Sequence, residues 1–159
     1  VSSLEGSRTI LVEVQSLVCP TLFGVPRRTV VGVDYNKVML LAAVLEKKAG
    51  IQLANHDIFL KVAGGMRLEE PAIDLGILAS ITSNCLDKPI DSSTVIFGEV
   101  GLAGEVRAIS QVEPRVREAA KLGFKRCIMP KDNMKGLKAP SGMKLEGVST
   151  IKEAIAKFF

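Results

Sequence analysis

The stretch from Phe97 to Gly123, FGEVGLAGEVRAISQVEPRVREAAKLG, places the tightest limits on what this chain can fold into. Thr94 to Phe97 is β-branched and aromatic and reads as a strand. Gly101 and Gly104 permit a tight reversal, and Glu105 to Ile109 alternates like a half-buried return strand. Ser110 is placed to cap a helix, and Glu113 three residues on completes a capping box. Pro114 falls in the first turn, where its missing N–H costs little, while Val116, Ala119 and Ala120 make one apolar face. Gly123 ends the helix. A hairpin running directly into a charged helix is the expected centre of the fold.

The flanks supply further elements. Thr9 to Val18 and Arg28 to Val33 read as strands placed to pair antiparallel, separated by a loop with Pro20, Gly24 and Pro26 that carries Phe23 and the Arg27–Arg28 pair. Asp34 caps a helix from Tyr35 to Ala49, closed by Gly50, with Val38, Leu41, Ala42 and Leu45 as its core stripe. Asp57 to Ala63 is a strand ending in Gly64–Gly65. The Pro71 region then opens a helix to Cys85, whose small residues Ala72, Gly76, Ala79, Ser80 and Ser83 allow close packing. Arg126 to Met129 is a short strand, Pro130 to Ser141 a loop, Met143 to Val148 a last strand, and Ser149 caps a C-terminal helix. These elements predict an α/β (α+β) fold with mixed sheet pairing and packed helices. Residues 1–8, polar and glycine-containing, read as a linker, and residues 9–159 as one domain, which a length of 159 and a 47% hydrophobic content can support.

No segment approaches the roughly 20 apolar residues that cross a bilayer, and the start lacks the pattern of a secretory signal, so a cytosolic chain without a membrane partner is expected. Cys19, Cys85 and Cys127 are far apart and accompanied by a single histidine, which gives no zinc ligand set and suggests buried thiols in a reducing compartment. Net charge is +4, unevenly placed: Arg107 to Lys138 holds nine Lys or Arg against Glu113, Glu118 and Asp132. That band suits an anionic partner or a solvated face.

Chemical motifs are sparse. Gly64–Gly65 and GEVGLAG lack the GxxxxGK[ST] and GxGxxG contexts that hold phosphates. His56 stands in a polar turn without a Ser or Cys motif beside it. Glu69, Glu70 and Asp74 offer an acid/base or magnesium cluster, or simply favourable charge at the positive end of the following helix. Ser80 or Ser83 with Lys61 is conceivable as a serine–lysine dyad, with nothing local to mark it.

The segments ILVEVQSLV, FGVPRRTVVGVDYNKVMLLAAVLEKKAG, VAGGMRLEEPAIDLGILASI, GEVGLAGEVRAISQVEPRVREAAKLGFKR and IMP, in order from Ile10 to Pro130, are similar to the C-terminal Lon-protease-like domain of the RadA (Sms) family, bacterial and organellar ATPases of DNA repair and recombination. The resemblance implies a single Lon-domain-like fold. Where active Lon proteases carry Gly-Pro-Ser-Ala-Gly, this chain reads Glu70-Pro71-Ala72-Ile73-Asp74, so Ala72 replaces the nucleophile. In register, Glu113 stands at the position of the catalytic lysine, and an acid cannot replace that amine; Arg115 is a poor base and Lys121 lies two turns further on. Peptidase activity is expected to be absent. The resemblance further implies a homo-hexamer that holds DNA and supports branch migration by an ATPase domain outside this chain. ATP, magnesium and zinc would then belong to those other parts, with no cofactor or metal here, in a bacterial cytoplasm or an organelle. A ring around DNA needs a basic face that contacts phosphates without reading bases. Arg27, Arg28, Arg67, Arg107, Arg115 and Arg117 are the candidates, or alternatively partners in intersubunit ion pairs with Glu69, Glu99, Glu105 or Glu118. The absence of tryptophan and the single Tyr35 argue against a stacking platform for single strands. Two rivals remain: a peptidase with an unrecognised dyad, and an interaction module for RecA.

Overall fold

A computed structural model describes residues 1–5 and 8–159. Strand β1 (Ser2–Glu5) pairs antiparallel with β2 (Arg8–Leu11), Ser2 opposite Leu11. The segment read as a linker therefore contributes a strand, and Gly6 and Ser7 lie outside the described residues. What draws it in is tertiary: Ser3 is buried, Val12 joins the core, and the Leu4 N–H donates to a Glu70 carboxylate oxygen at 2.7 Å.

Val12 and Glu13 break the strand expected from Thr9 to Val18, so that β3 (Val14–Pro20) begins a different sheet. In that sheet β5 (His56–Val62) lies between β3 and β4 (Arg28–Val31), antiparallel to the first and parallel to the second. The anticipated β3–β4 pairing is thus replaced by pairing of each with β5. A seven-residue connection bounded by prolines is a poor hairpin turn, whereas β5 buries Ile58, Leu60 and Val62 on one face and half-buries Phe59 on the other, as a central strand must.

Helix α1 (Tyr35–Ala49) begins and ends as its sequence announces: the Asp34 carboxylate accepts the Lys37 N–H at 2.9 Å, and Gly50 closes it in the left-handed region at φ 70°. Pro71–Ile73 forms a 3-10 turn leading into α2 (Asp74–Leu86), which is buried along most of its length and lies against β3. Its side chains cap the edge of that strand: the Ser80 hydroxyl contacts Ser16 Oγ at 2.8 Å, and Asn84 Oδ1 accepts the Val18 N–H at 2.6 Å.

The second half corrects the expected central hairpin. Strand β6 (Thr94–Ile96) does not run into it but pairs parallel with β9 (Arg126–Pro130), which pairs parallel with β10 (Lys144–Val148). The hairpin proper is only β7 (Glu99–Val100) against β8 (Val106–Arg107). Between β6 and the hairpin, Gly98 donates its N–H to Ala72 O at 2.9 Å and accepts the Leu75 N–H at 3.0 Å, which ties the chain to the start of α2 and ends the strand. Gly98 takes φ 157°, where a side chain is strained, and a Cβ there would also press on Val106 Cγ1 at 3.1 Å.

Helix α3 (Val112–Lys121) starts without the expected capping box: Gln111 is the cap residue at φ 57°, with no side-chain hydrogen bond. Ser110 instead offers its carbonyl to Arg115, and Glu113 turns to Arg117 one turn on. At α4 (Ile151–Phe158) the cap is Thr150, one residue later than expected: its hydroxyl accepts the Glu153 N–H at 3.2 Å, while Glu153 takes the Ser149 N–H. The architecture is α/β, with a main core shared by α1, α2, α4 and the two three-stranded sheets and a smaller one between α3 and β9 around Phe97, Val116, Cys127 and Met129. Among the described residues no helix is long and apolar enough to cross a membrane.

Candidate functional site

The start of α2 is where the resemblance puts a nucleophile, and here Ala72 is buried under the Gly98 contact. Glu113, in the lysine's position, is exposed and paired with Arg117 at 3.0 Å. Around this point the chain collects charge. Glu70 accepts both terminal nitrogens of Arg115 at 2.7 Å each, and Arg115 Nε reaches Ser110 O at 3.0 Å. Asp74 accepts Lys37 Nζ at 2.7 Å and the Val100 N–H at 3.2 Å. Burial works to raise the Glu70 pKa, but the Arg115 hydrogen bonds and charge, with the Leu4 N–H, outweigh it and hold the carboxyl below its usual range. Asp74 goes the other way, because burial outweighs Lys37 and the Val100 hydrogen bond. These charges are consumed in tying together β1, α1, α2, α3 and the hairpin.

Arg115 is accordingly withdrawn from the candidate surface, since its side chain is 0% exposed. The signal was present in the sequence: Arg115 lies three residues after Val112 and four before Ala119, on the apolar stripe of α3. Arg28 is half-buried, its guanidinium donating to Leu53 O at 2.7 Å. Arg27, Arg67, Arg107 and Arg117 project into solvent, with side chains 59–81% exposed, each beside an acid of its own chain: Asp57 at 4.0 Å, and Glu69, Glu105 and Glu113 at 3.0 Å. The alternative role for Glu69 and Glu105 is thus met within the chain. The pairs of Arg67, Arg107 and Arg117 are weak surface pairs, so exchanging their carboxylates for a phosphate costs little, whereas Arg27 faces the buried Asp57.

The basic band read from Arg107 to Lys138 continues beside the hairpin. Asn133 accepts the Ile109 N–H at 2.8 Å and donates to Ile109 O at 3.0 Å, clamping the exit of β8 to the loop that bears exposed Lys131, Lys135 and Lys138. Phe23, read from the sequence as carried on the loop before Arg27 and Arg28, is an almost fully exposed aromatic side chain.

The serine–lysine candidates are not brought together. Ser80 is engaged with Ser16 and the Val14 carbonyl, Ser83 donates to Lys88 O at 2.6 Å, and Lys61 is exposed on the open face of the β3–β5–β4 sheet. Both serines line a cleft of about 710 Å³ between β3 and β6, with Asp91 and Thr94. His56 opens β5, and its Nδ1 is buried without a hydrogen bond among the described residues. Of the cysteines only Cys127 is buried, and burial pushes its thiol up to about 12, which makes it inert; Cys19 and Cys85 are half-buried.

The family model described as subunit ChlI of Mg-chelatase matches residues 18–133. The chain is 51% identical over 157 residues to DNA repair protein RadA of Listeria monocytogenes, covering 99% of this chain and 34% of that protein. It is 54% identical over 154 residues to DNA repair protein RadA of Bacillus subtilis, covering 97% and 34%. With DNA repair protein RadA of Streptococcus pneumoniae it shares 47% identity over 159 residues, covering 100% and 38%. The chain spans about one third of the length of these relatives. It belongs to the family described as subunit ChlI of Mg-chelatase, and over nearly its whole length it is a close relative of one portion of the DNA repair protein RadA.

Proposed function

We propose that this chain is a non-catalytic, Lon-like domain of a RadA-type DNA repair and recombination protein. It serves as a homo-hexameric scaffold and a sequence-independent DNA-binding surface for branch migration powered by an ATPase domain outside the chain. The observation that carries the reading is the start of α2, where Ala72 leaves no nucleophile and the surrounding charges are spent on architecture. DNA contact is supported by Arg67, Arg107 and Arg117, exposed and held only by weak surface pairs. The chelatase subunit name adds no reaction, because the chain carries no GxxxxGK[ST] phosphate loop.

Fluorescence anisotropy with a labelled duplex tests the DNA part. Three phosphate contacts predict a loss of about fortyfold in affinity between about 50 and 200 mM salt. Arg67→Ala, Arg107→Ala and Arg117→Ala should each weaken binding equally on unrelated sequences and lower the salt slope by about one. Absence of binding at the lower salt sinks this part. Incubation with unfolded casein tests the other: no cleavage is expected, and cleavage abolished by Ser80→Ala would establish a peptidase instead.

A further inference from the structure

Assembly requires surfaces, and this chain presents two apolar ones. The loop 21–27 between β3 and β4 presents Leu22, Phe23 and Val25 at 82–91% exposure. Single exposed apolar residues are ordinary, but three within four positions on an anchored loop are not. The anchor is well defined: the Thr21 N–H donates to Asn55 O at 2.8 Å, while the Thr21 hydroxyl and the Arg27 N–H both donate to Asp57 Oδ1, at 2.9 and 2.7 Å. Those hydrogen bonds, the Arg27 N–H foremost, hold the Asp57 carboxyl below its usual range, so the anchor stays ionised at neutral pH. Pro20 and Pro26 stiffen the ends, and Gly24 takes φ 69° at the tip. The result is a preformed apolar prong.

The second surface is the open face of the β3–β5–β4 sheet. Register sets Leu17, Phe59 and Thr29 in one row and Gln15, Lys61 and Val31 in the next. These side chains form a shallow groove of about 360 Å³, and Leu17 and Val31 are 55% and 56% exposed. The exposure of both prong and groove shows that the loop does not lie on its own sheet.

We propose that the prong of one copy docks in the sheet groove of a second copy of this chain, head to tail. The inference rests on the assembly reading above and names its contact. Area supports it: an aromatic side chain carries about 150–250 Å² and a standard interface removes about 800 Å² per partner. Prong and groove together thus supply the apolar centre of such an interface and leave Arg27 and Lys61 to its rim. The prong offers three apolar side chains to the single exposed Arg27, which favours an apolar receptor over a phosphate backbone. Each copy bears one prong and one groove, so the contact is heterologous and propagates into a ring or filament.

Sedimentation velocity on the purified chain tests this, with circular dichroism to verify folding. The native chain should assemble, whereas Phe23→Asp, without a prong, and Val31→Asp, without a groove, should each be monomeric. Mixed in equal amounts they retain one intact prong and one intact groove between them, and should form a one-to-one heterodimer and nothing larger. Leu17→Gln replaces Val31→Asp as the groove variant should the latter fail to fold. If the native chain stays monomeric at all concentrations, the assembly reading falls and this contact with it. If it assembles and the variants assemble equally well, or the mixture stays monomeric, the docking fails alone. A Phe23→Asp chain that remains assembled but loses duplex binding assigns the loop to nucleic acid and overturns the proposal.

Discussion

The start of α2 and the loop between β3 and β4 invert the usual placement of residue types in opposite senses. At the first, Glu70, Asp74 and Arg115 are taken inside, where each finds charged or backbone partners at 2.7–3.2 Å. At the second, Leu22, Phe23 and Val25 are held outside with nothing to cover them. A buried charge is tolerated only when its partners are supplied, so the first region is complete and its role is to join elements. An exposed apolar cluster on a braced loop is the kind of surface that a partner covers. Internal completeness therefore separates architecture from function more reliably than residue type does.

The sharpest way to break this contrast is at two arginines on one helix. Arg115→Ala leaves Glu70 without its counter-ion and should destabilise the chain by about 3–5 kcal/mol in urea unfolding. Arg117→Ala, two residues on, should stay within about 0.5 kcal/mol. Equal effects would mean that burial of the guanidinium does not matter.

Acid titration sharpens the same region. The Glu70 pKa is lowered on folding, so its contribution is complete above the ordinary value of 4.5 and is lost as pH falls through the lower folded value. The Asp74 pKa is raised, so its contribution is complete below 3.8 and is lost as pH rises through the folded value. Urea midpoints from pH 7 to 3 should show Glu70→Gln flattening the acid loss and Asp74→Asn steepening it.

A smaller effect is expected at the edge of β3. Ser80→Ala should cost about 1–2 kcal/mol through lost hydrogen bonds, which marks the serine as a brace for the strand. The smallest is at the prong. Phe23→Ser should change stability by less than about 0.5 kcal/mol while reducing self-association, a separation that only a surface waiting for a partner produces.

Much of the fold is legible in local sequence. Asp34 and Gly50 bracket α1 because capping and left-handed geometry depend on the residue itself and its immediate neighbours. The alternation in His56–Val62 gives the two faces of β5 for the same reason. Strand neighbours are less legible, since a period of two tells which face is buried but not which strand lies alongside; periodicity alone pairs β4 with β3 and β6 with the hairpin, where the fold pairs them with β5 and β9. The Ser110 cap failed because Arg115 took the Ser110 carbonyl and Arg117 took Glu113, claims made by side chains that the box pattern does not consider. At the candidate site, Ala72 and Glu113 were readable as losses, whereas the six arginines could not be ranked.

The sequence alone determined the inventory of elements, the apolar faces of the helices, the missing nucleophile and the uneven charge. Only the tertiary structure decided that Arg115 is a strut and Arg117 a surface group, that Ser80 braces a strand, and that Phe23 stands free. Propensity and periodicity act over a few residues, but the fate of a charge or an apolar side chain depends on what the fold brings within hydrogen-bond or contact distance. For Arg115 that partner is Glu70, 45 residues away along the chain.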